Sequence, residues 1–293
     1  MAPLSIRMSQ QPSTLVLRNG QELPRVGLGT YKASGEPLAH AVTSALRSGM
    51  RHIDTASIYK NSAPIASGLA AGNVPRSELF ITSKVSAYEQ GTDKARAACQ
   101  AMLEGLQTPY LDLVLVHWPG ASKVAVTSPE NARLRLQTWR VMEEFHARGL
   151  FRSIGVSNYE EHHIRHLMEA AATPPAVNQM EVHPRRQNRQ LRAACAEAGV
   201  AVVAYASMGC GELLCHPVVM AVAKECGKTP AQVLLRWGLE EGCAVIPKSV
   251  NLQHLQQFTP DALLSWQLEA RHKAALDALE DDHKFCWDPK DVA

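Results

Sequence analysis

Short apolar runs rich in Val, Ile and Leu recur along the chain, separated by longer stretches whose apolar residues return every three or four positions. The first feature is TLVLRNGQELPRV, where Asn19-Gly20 separates two short apolar segments, a strong local signal for a β-hairpin. After it, strand-like runs and helical stretches alternate. VGLGT (26–30) precedes a helix near 36–48, RHIDT (51–55) one near 61–71, and LFITSKV (79–85) one near 92–106. LDLVLVH (111–117) precedes a helix near 131–148, RSIGVSN (152–158) one near 160–171, and AVNQME (176–181) one near 188–198. GVAVVAYAS (199–207) leads to helices near 214–226 and 230–240, and CAVIPKS (243–249) leads to helical segments near 251–258 and 262–280.

Strands alternating with helices pair in parallel through right-handed crossovers, and runs such as LVLV and VAVV read as buried on both faces. Eight such units predict an α/β fold, a (βα)8 TIM barrel with an N-terminal β-hairpin and additional C-terminal helices. An open doubly wound sheet is the alternative, but no G-x-G-x-x-G follows the first strand: Gly27-Leu28-Gly29 continues with Thr30-Tyr31. No Pro/Gly-rich linker divides the chain. A single barrel domain over 14–293 is expected, behind a disordered leader at 1–13 (MAPLSIRMSQQPS) that lacks the apolar segment of a secretory signal.

Composition narrows the function. Of 293 residues 46% are hydrophobic, and 30 Lys+Arg against 28 Asp+Glu leave a charge of +2. Nucleic-acid binding needs a clustered basic excess, and no basic run exceeds Arg185-Arg186. No apolar stretch approaches the roughly 20 residues of a membrane span. Seven sparsely spread cysteines without a C-x-x-C pair point to a reducing, cytoplasmic setting and to ordinary thiols. A barrel of this size can stand alone as a monomer.

Working residues of such a barrel lie at the C-terminal ends of the strands and in the loops after them. Those positions give Asp54 after RHI, Tyr59 in the following loop, Lys84 at the end of LFITSK and His117 at the end of LVLVH. Together they make a proton-donating device. A tyrosine of pKa about 10 is a weak acid at neutrality, an adjacent Lys ammonium stabilises its phenolate, and a carboxylate keeps that ammonium charged and placed. A neutral His117 can hydrogen-bond a carbonyl oxygen, so developing charge meets donors from two sides.

The strings HIDTASIYKN, LFITSKV, LVLVHWPG, SIGVSNY, VNQMEVHP, AYASMG and VIPKSVN, in this order, closely resemble the aldo-keto reductases from about Leu15 onward. The resemblance implies reversible reduction of aldehydes and ketones with NADPH held at the barrel mouth, a small-molecule carbonyl partner, and no metal. By motif it makes Tyr59 the general acid, Lys84 its pKa-lowering partner, Asp54 the partner of Lys84, and His117 the substrate-orienting donor. Ser157, Asn158 and Gln179 match positions that bond the nicotinamide carboxamide, and Tyr205 the ring on which it stacks. Gly29 and Thr30 would lie near the nicotinamide ribose, and Ser207, Met208 and Gly209 along the pyrophosphate. Lys248, Ser249, Val250 and Asn251 match the loop around the adenosine 2′-phosphate, and Tyr31 and Trp118 match pocket-lining positions.

The chain departs from the family pattern in that loop. The usual arginine six residues after the lysine, followed by Glu-Asn, is replaced by His254, Gln257 and Phe258. A mostly neutral imidazole recognises a dianion less strongly than a guanidinium does, so NADPH is expected with reduced discrimination against NADH. Phe285 and Trp287 near the end could form a lid or pack on the barrel wall. Glu181 and His183 are expected to support a loop, and His162, His163 and His166 lack the further ligand a metal needs. The competing class is a catalytically weak reductase barrel serving as a cofactor sensor or binding subunit, which loss of Tyr59 or Lys84 would have favoured; both are present.

Overall fold

The computed structural model describes residues 12–293. All of the expected leader except Pro12 and Ser13 lies outside the described residues.

Thr14–Val16 (β1) and Glu22–Pro24 (β2) pair antiparallel. In the loop between them the Gly20 N–H donates to the Leu17 carbonyl, and the Leu17 N–H to that of Gln21, both at 2.8 Å. Gly20 has φ +82°, a left-handed conformation that closes a three-residue hairpin loop without a Cβ clash. Asn19 ties this loop to the barrel floor, donating to the Arg152 carbonyl and the Ser153 hydroxyl at 2.9 Å. Leu17 and Leu23 then pack with Phe80, Leu113, Val177, Val203 and Ala244, so the hairpin caps the interior at the N-terminal end of the strands.

Eight parallel strands follow: Gly27–Gly29 (β3), His52–Asp54 (β4), Phe80–Val85 (β5), Leu111–Val116 (β6), Phe151–Ser157 (β7), Val177–Glu181 (β8), Ala201–Tyr205 (β9) and Ala244–Val245 (β10). Each pairs with its neighbour in sequence, and bridges Val26–Val245 and Gly29–Lys248 join the last to the first. The barrel is thereby nearly closed, as the alternation of elements predicts. Every residue of β5 and β6 is buried, because inward side chains fill the interior and outward ones meet the helices.

The helical layer comprises Gly35–Arg47 (α1), Ser62–Gly72 (α2), Thr92–Gly105 (α3), Glu130–Ala147 (α4), Glu161–Ala170 (α5), Arg189–Glu197 (α6), Pro217–Cys226 (α7) and Pro230–Glu240 (α8), with Leu252–Gln257 (α9), Pro260–Leu264 (α10) and Ala270–Asp277 (α11) after β10. The start of α8 is legible in Thr229-Pro230: the Thr229 hydroxyl accepts the Gln232 N–H, and the Gln232 side chain returns to the Thr229 N–H. Its apolar face buries Val233, Leu234 and Trp237, each side chain contributing about 1.5–3 kcal/mol relative to exposure.

Three boundaries differ from the expectation. The strand expected over 243–249 pairs with β9 only at Ala244 and Val245, because Pro247 has no N–H for the ladder, although its carbonyl accepts the Gly29 N–H at 2.9 Å and Lys248 bridges Gly29. The helix expected from 214 begins at Pro217, capped by the His216 ring, after a 3-10 segment over Gly209–Cys215. The segment expected as one helix over 262–280 breaks between α10 and α11, where the Leu268 N–H leaves the helical pattern for the Glu240 carboxylate at 2.8 Å. No helix among the described residues is long and apolar enough to cross a membrane.

Candidate active site

Asp54 ends β4, Lys84 lies one residue before the end of β5, and His117 follows β6, so the register of adjacent strands brings them to one mouth. Lys84 is wholly buried; its Nζ donates to Asp54 Oδ1 at 2.5 Å and to the Thr55 carbonyl at 2.8 Å. Gln179, on β8 across the barrel, donates from Nε2 to Asp54 Oδ2 at 2.8 Å. The carboxylate is thus held at both oxygens. Tyr59 closes a 3-10 turn over Ser57–Tyr59, with its ring centroid 5.5 Å from Lys84 Nζ and 5.8 Å from the His117 ring.

That turn is positioned by residues the sequence reading passed over. Buried Asn61 donates to the Thr30 and Ala33 carbonyls at 3.0 Å and accepts the Thr55 hydroxyl at 2.8 Å, locking the loop after β4 to the loop after β3. The YKN string was visible, but nothing local announces contacts some thirty positions away.

Burial and the charge of Lys84 pull the His117 imidazole down to about 3, so it is neutral near pH 7 as expected. Tyr59 departs from expectation. Burial first, and then the Asp54 carboxylate, raise its phenol well above the ordinary value, where Lys84 was expected to lower it. The ammonium is spent on Asp54 at 2.5 Å, and the same carboxylate opposes ionisation of the phenol.

A hydrogen-bonded wall runs from this cluster. Ser157, ending β7, donates to the Gln179 carbonyl at 2.8 Å; Asn158 donates to the His117 carbonyl at 2.9 Å and to Ser157 Oγ at 3.1 Å; the Tyr205 hydroxyl donates to Asn158 Oδ1 at 2.5 Å. Ser157, Asn158, Gln179 and Tyr205 therefore stand together, with Asn158 spending both side-chain N–H groups inside the wall. Thr30 is turned inward, its hydroxyl donating to the Asp54 carbonyl, and Gly29 sits in the barrel seam, where a Cβ would come within 2.6 Å of the Ile246 carbonyl oxygen.

The loop after β10 offers a different chemistry. Lys248 and His254 are exposed and make no ion pair among the described residues. Ser249 Oγ accepts the Asn251 N–H at 3.0 Å, Asn251 caps α9 through Gln253 at 2.9 Å, and Val250 is exposed between them. An unpaired ammonium and an imidazole among short polar side chains fit a phosphate. Gln257 does not face them: its Oε1 accepts the Thr229 hydroxyl at 2.9 Å. In the loop after β9, Ser207 is buried, and Gly209 has φ +56° with the Phe285 ring where a Cβ would stand, 2.6 Å away.

The tail divides the two roles foreseen for it. Trp287, half exposed, meets Trp118 edge-on with centroids 4.9 Å apart, and Trp118 stacks on His117 at 6.1 Å. With Tyr31, 5.1 Å from Tyr59, these rings make an aromatic rim. Phe285 instead packs on His183 and Gly209. Glu181 supports this arrangement, accepting the His183 ring at 3.0 Å and the Phe285 N–H at 2.7 Å. His163 accepts the Glu160 N–H on Nδ1 and donates from Nε2 to the Val292 carbonyl at 2.8 Å, so the histidines of α5 anchor the tail. No metal-ligating group of three or more His, Cys, Asp or Glu occurs among the described residues.

A nearly closed eight-stranded barrel with an Asp-Tyr-Lys-His cluster at its C-terminal mouth defines a class of enzyme, and comparison with known proteins agrees. The sequence profile of the Aldo/keto reductase family matches residues 25–281. An aldo-keto reductase of Mycobacterium sp. (strain JLS) is 38% identical over 276 residues, covering 94% of this chain and 96% of the relative. A glyoxal reductase of Bacillus subtilis (strain 168) is 37% identical over 280 residues, covering 95% and 97%. The crystal structure of an aldo-keto reductase from a Medee basin deep-sea metagenome library superposes with a TM-score of 0.87 at 32% identity, covering 96% of this chain and all of that one. The chain belongs to the aldo/keto reductase family and is an oxidoreductase of that family, whose members use nicotinamide cofactors.

Proposed function

We propose that the protein is an NADPH-dependent reductase of aldehydes or ketones, with Tyr59 as proton donor. When bound, the reduced nicotinamide supplies a hydride to the carbonyl carbon. Ser157, Asn158, Gln179 and Tyr205 would hold the nicotinamide end, Gly29, Thr30 and Ser207–Gly209 the middle, and Lys248–Asn251 with His254 the 2′-phosphate. Gln257 is withdrawn from that set by its bond to Thr229.

The observation that carries the reading is the buried Lys84 ammonium, fixed by Asp54 at 2.5 Å and lying 5.5 Å from the Tyr59 ring. The raised value of the Tyr59 phenol suits an acid in the reductive direction: it keeps its proton until the carbonyl oxygen gains alkoxide character, when transfer becomes downhill. Lys84 lies 5.5 Å from the ring that carries the phenolate left behind, its charge offset by Asp54. Neutral His117 donates to the same oxygen from the other side. The aromatic rim of Tyr31, Trp118 and Trp287 favours a carbonyl with an apolar or planar body. The glyoxal reductase relative makes a small dicarbonyl the other substrate to try first.

The test is cofactor oxidation with NADPH and NADH in parallel across aromatic aldehydes, short aliphatic aldehydes and dicarbonyls, for wild type and Tyr59→Phe. The variant should lose about 10²–10⁴-fold in kcat with little change in cofactor affinity. Turnover at the wild-type rate in Tyr59→Phe would refute the assigned acid. NADPH binding without turnover by wild type on any carbonyl would favour a sensor or binding role.

A further inference from the structure

Two of the seven thiols meet at the barrel mouth. Cys210 lies in the loop after β9, within Gly209, Cys210 and Gly211, which have φ of 56°, 53° and 103°. This run of left-handed residues folds the chain back tightly and leaves Cys210 exposed. Cys286 is half-buried in the tail, where the Glu181 carboxylate accepts its N–H at 3.3 Å and that of Phe285 at 2.7 Å. The residues preceding each cysteine touch, because the Phe285 ring occupies the space above Gly209. Cys210 is one of the groups close enough to act on the Cys286 thiol.

We propose that Cys210 and Cys286 are a redox-active pair that closes to a disulfide, fastening the C-terminal tail to the loop after β9. The contact between their neighbours holds the tail against the loop, and the bond forms where the two Cα atoms come within about 4.4–6.8 Å. The other five cysteines are less suited. Cys99, Cys195 and Cys243 are buried, and Cys226 sits 3.3 Å from the His272 ring on the far side of α7. Cys215 is exposed in the same segment as Cys210 and is the one competing partner.

The oxidant is a hydroperoxide. The Cys210 thiolate attacks the terminal peroxide oxygen, the O–O bond breaks, and Cys210 becomes a sulfenic acid as the alkoxide or hydroxide leaves and takes a proton. Cys286 sulfur then attacks Cys210 sulfur, forming the S–S bond and expelling water with the Cys286 proton. Two thiols and one hydroperoxide give one disulfide, one water and one alcohol, or two waters when the oxidant is hydrogen peroxide. The order of the two sulfurs follows from their surroundings. Cys210 is the one an oxidant reaches, while burial and the Glu181 charge push the Cys286 thiol up to about 12 and keep it protonated until a partner arrives. The bond would tie the tail that carries Trp287 to the loop that carries Ser207 and Met208, a consequence that rests on the reductase reading of both segments.

The full chain is incubated with excess hydrogen peroxide, quenched with N-ethylmaleimide in denaturant, digested and mapped by mass spectrometry. The expected product is a linked peptide pair containing Cys210 and Cys286, released by dithiothreitol, with Cys99, Cys195 and Cys243 recovered as maleimide adducts. Cys215→Ser should leave the linkage intact, and Cys286→Ser should abolish it and let Cys210 proceed to the sulfinic acid. Recovery of Cys210 and Cys286 unlinked in wild type, or of Cys210 linked to Cys215, overturns the proposal. The readout is a mass and needs no turnover, so failure of the linkage and failure of the reductase assignment are separate results.

Discussion

Replacing Asp54 with Asn keeps the shape of the side chain and removes one charge from an enclosed ion pair of the mouth. Lys84 is fully buried and the Asp54 side chain is 4% exposed, so water cannot compensate. Leaving a buried charge unpaired costs about 3–5 kcal/mol. The alternative, loss of the Lys84 proton at pH 7, costs about 1.4 kcal/mol for each unit below an unfolded value of about 10.4, roughly 4–5 kcal/mol in all. The new amide also confronts the Gln179 amide, donor against donor, where a 2.8 Å hydrogen bond stood. Both routes predict a loss of about 3–5 kcal/mol, a large share of the roughly 5–15 kcal/mol of a folded chain. Urea unfolding at pH 7 and pH 9 measures it.

The pH dependence supplies the sign. Burial already holds Lys84 below its ordinary value, and Asp54 is the group that opposes this, so the variant lowers it further. Between the lowered folded value and the unfolded one the unfolded chain binds more protons, so stability rises with pH. The variant should therefore regain up to about 1.4 kcal/mol per pH unit above neutrality. Adding Lys84→Met removes the stranded charge and should restore most of the loss. A deficit under about 1 kcal/mol at pH 7, or a double variant as unstable as the sum of the single ones, would refute the reasoning.

Three further outcomes follow from the same structure. Burial pulls His52 down to about 4 and His117 and His163 down to about 3, so below about 6.5 the unfolded chain takes up protons the folded one refuses; stability should fall by roughly 1.4 kcal/mol per pH unit for each, and equal urea midpoints at pH 7 and pH 5 would exclude this. His254→Arg should tighten NADPH about 10-fold or more through charge-assisted hydrogen bonds while leaving NADH unchanged, and an unaltered ratio of the two affinities in a titration would remove His254 from the phosphate site. Gly29→Ala should lower the unfolding free energy by about 2 kcal/mol or more, because its Cβ would come within 2.6 Å of the Ile246 carbonyl oxygen across the seam that closes the barrel; an unchanged urea midpoint would count against that strain.

Much of the architecture was legible because a parallel barrel writes its strands as short, wholly apolar runs between amphipathic helices, and the rule that function gathers at strand ends then picked out Asp54, Lys84 and His117. What could not be read depends on where distant segments return. The break between α10 and α11 is set by the Glu240 carboxylate, and the tail is fixed by Glu181, 104 positions from Phe285. Such contacts leave no periodic trace. Gln257 was set in the adenosine loop by the family motif, and its Oε1 accepts the Thr229 hydroxyl at the start of α8, a contact no local pattern announces.

The direction of the Tyr59 shift has the same origin. Taken in pairs, a lysine next to a tyrosine lowers the phenol. Three groups together reverse the result, since Asp54 both neutralises Lys84 and repels the phenolate, and burial penalises that phenolate further. A site built this way holds its proton through neutrality and gives it up only to a stronger base than water, which is what a carbonyl oxygen becomes as it is reduced. With Tyr59 as the proposed donor, burial and Asp54 act together to favour the neutral phenol that a reduction consumes.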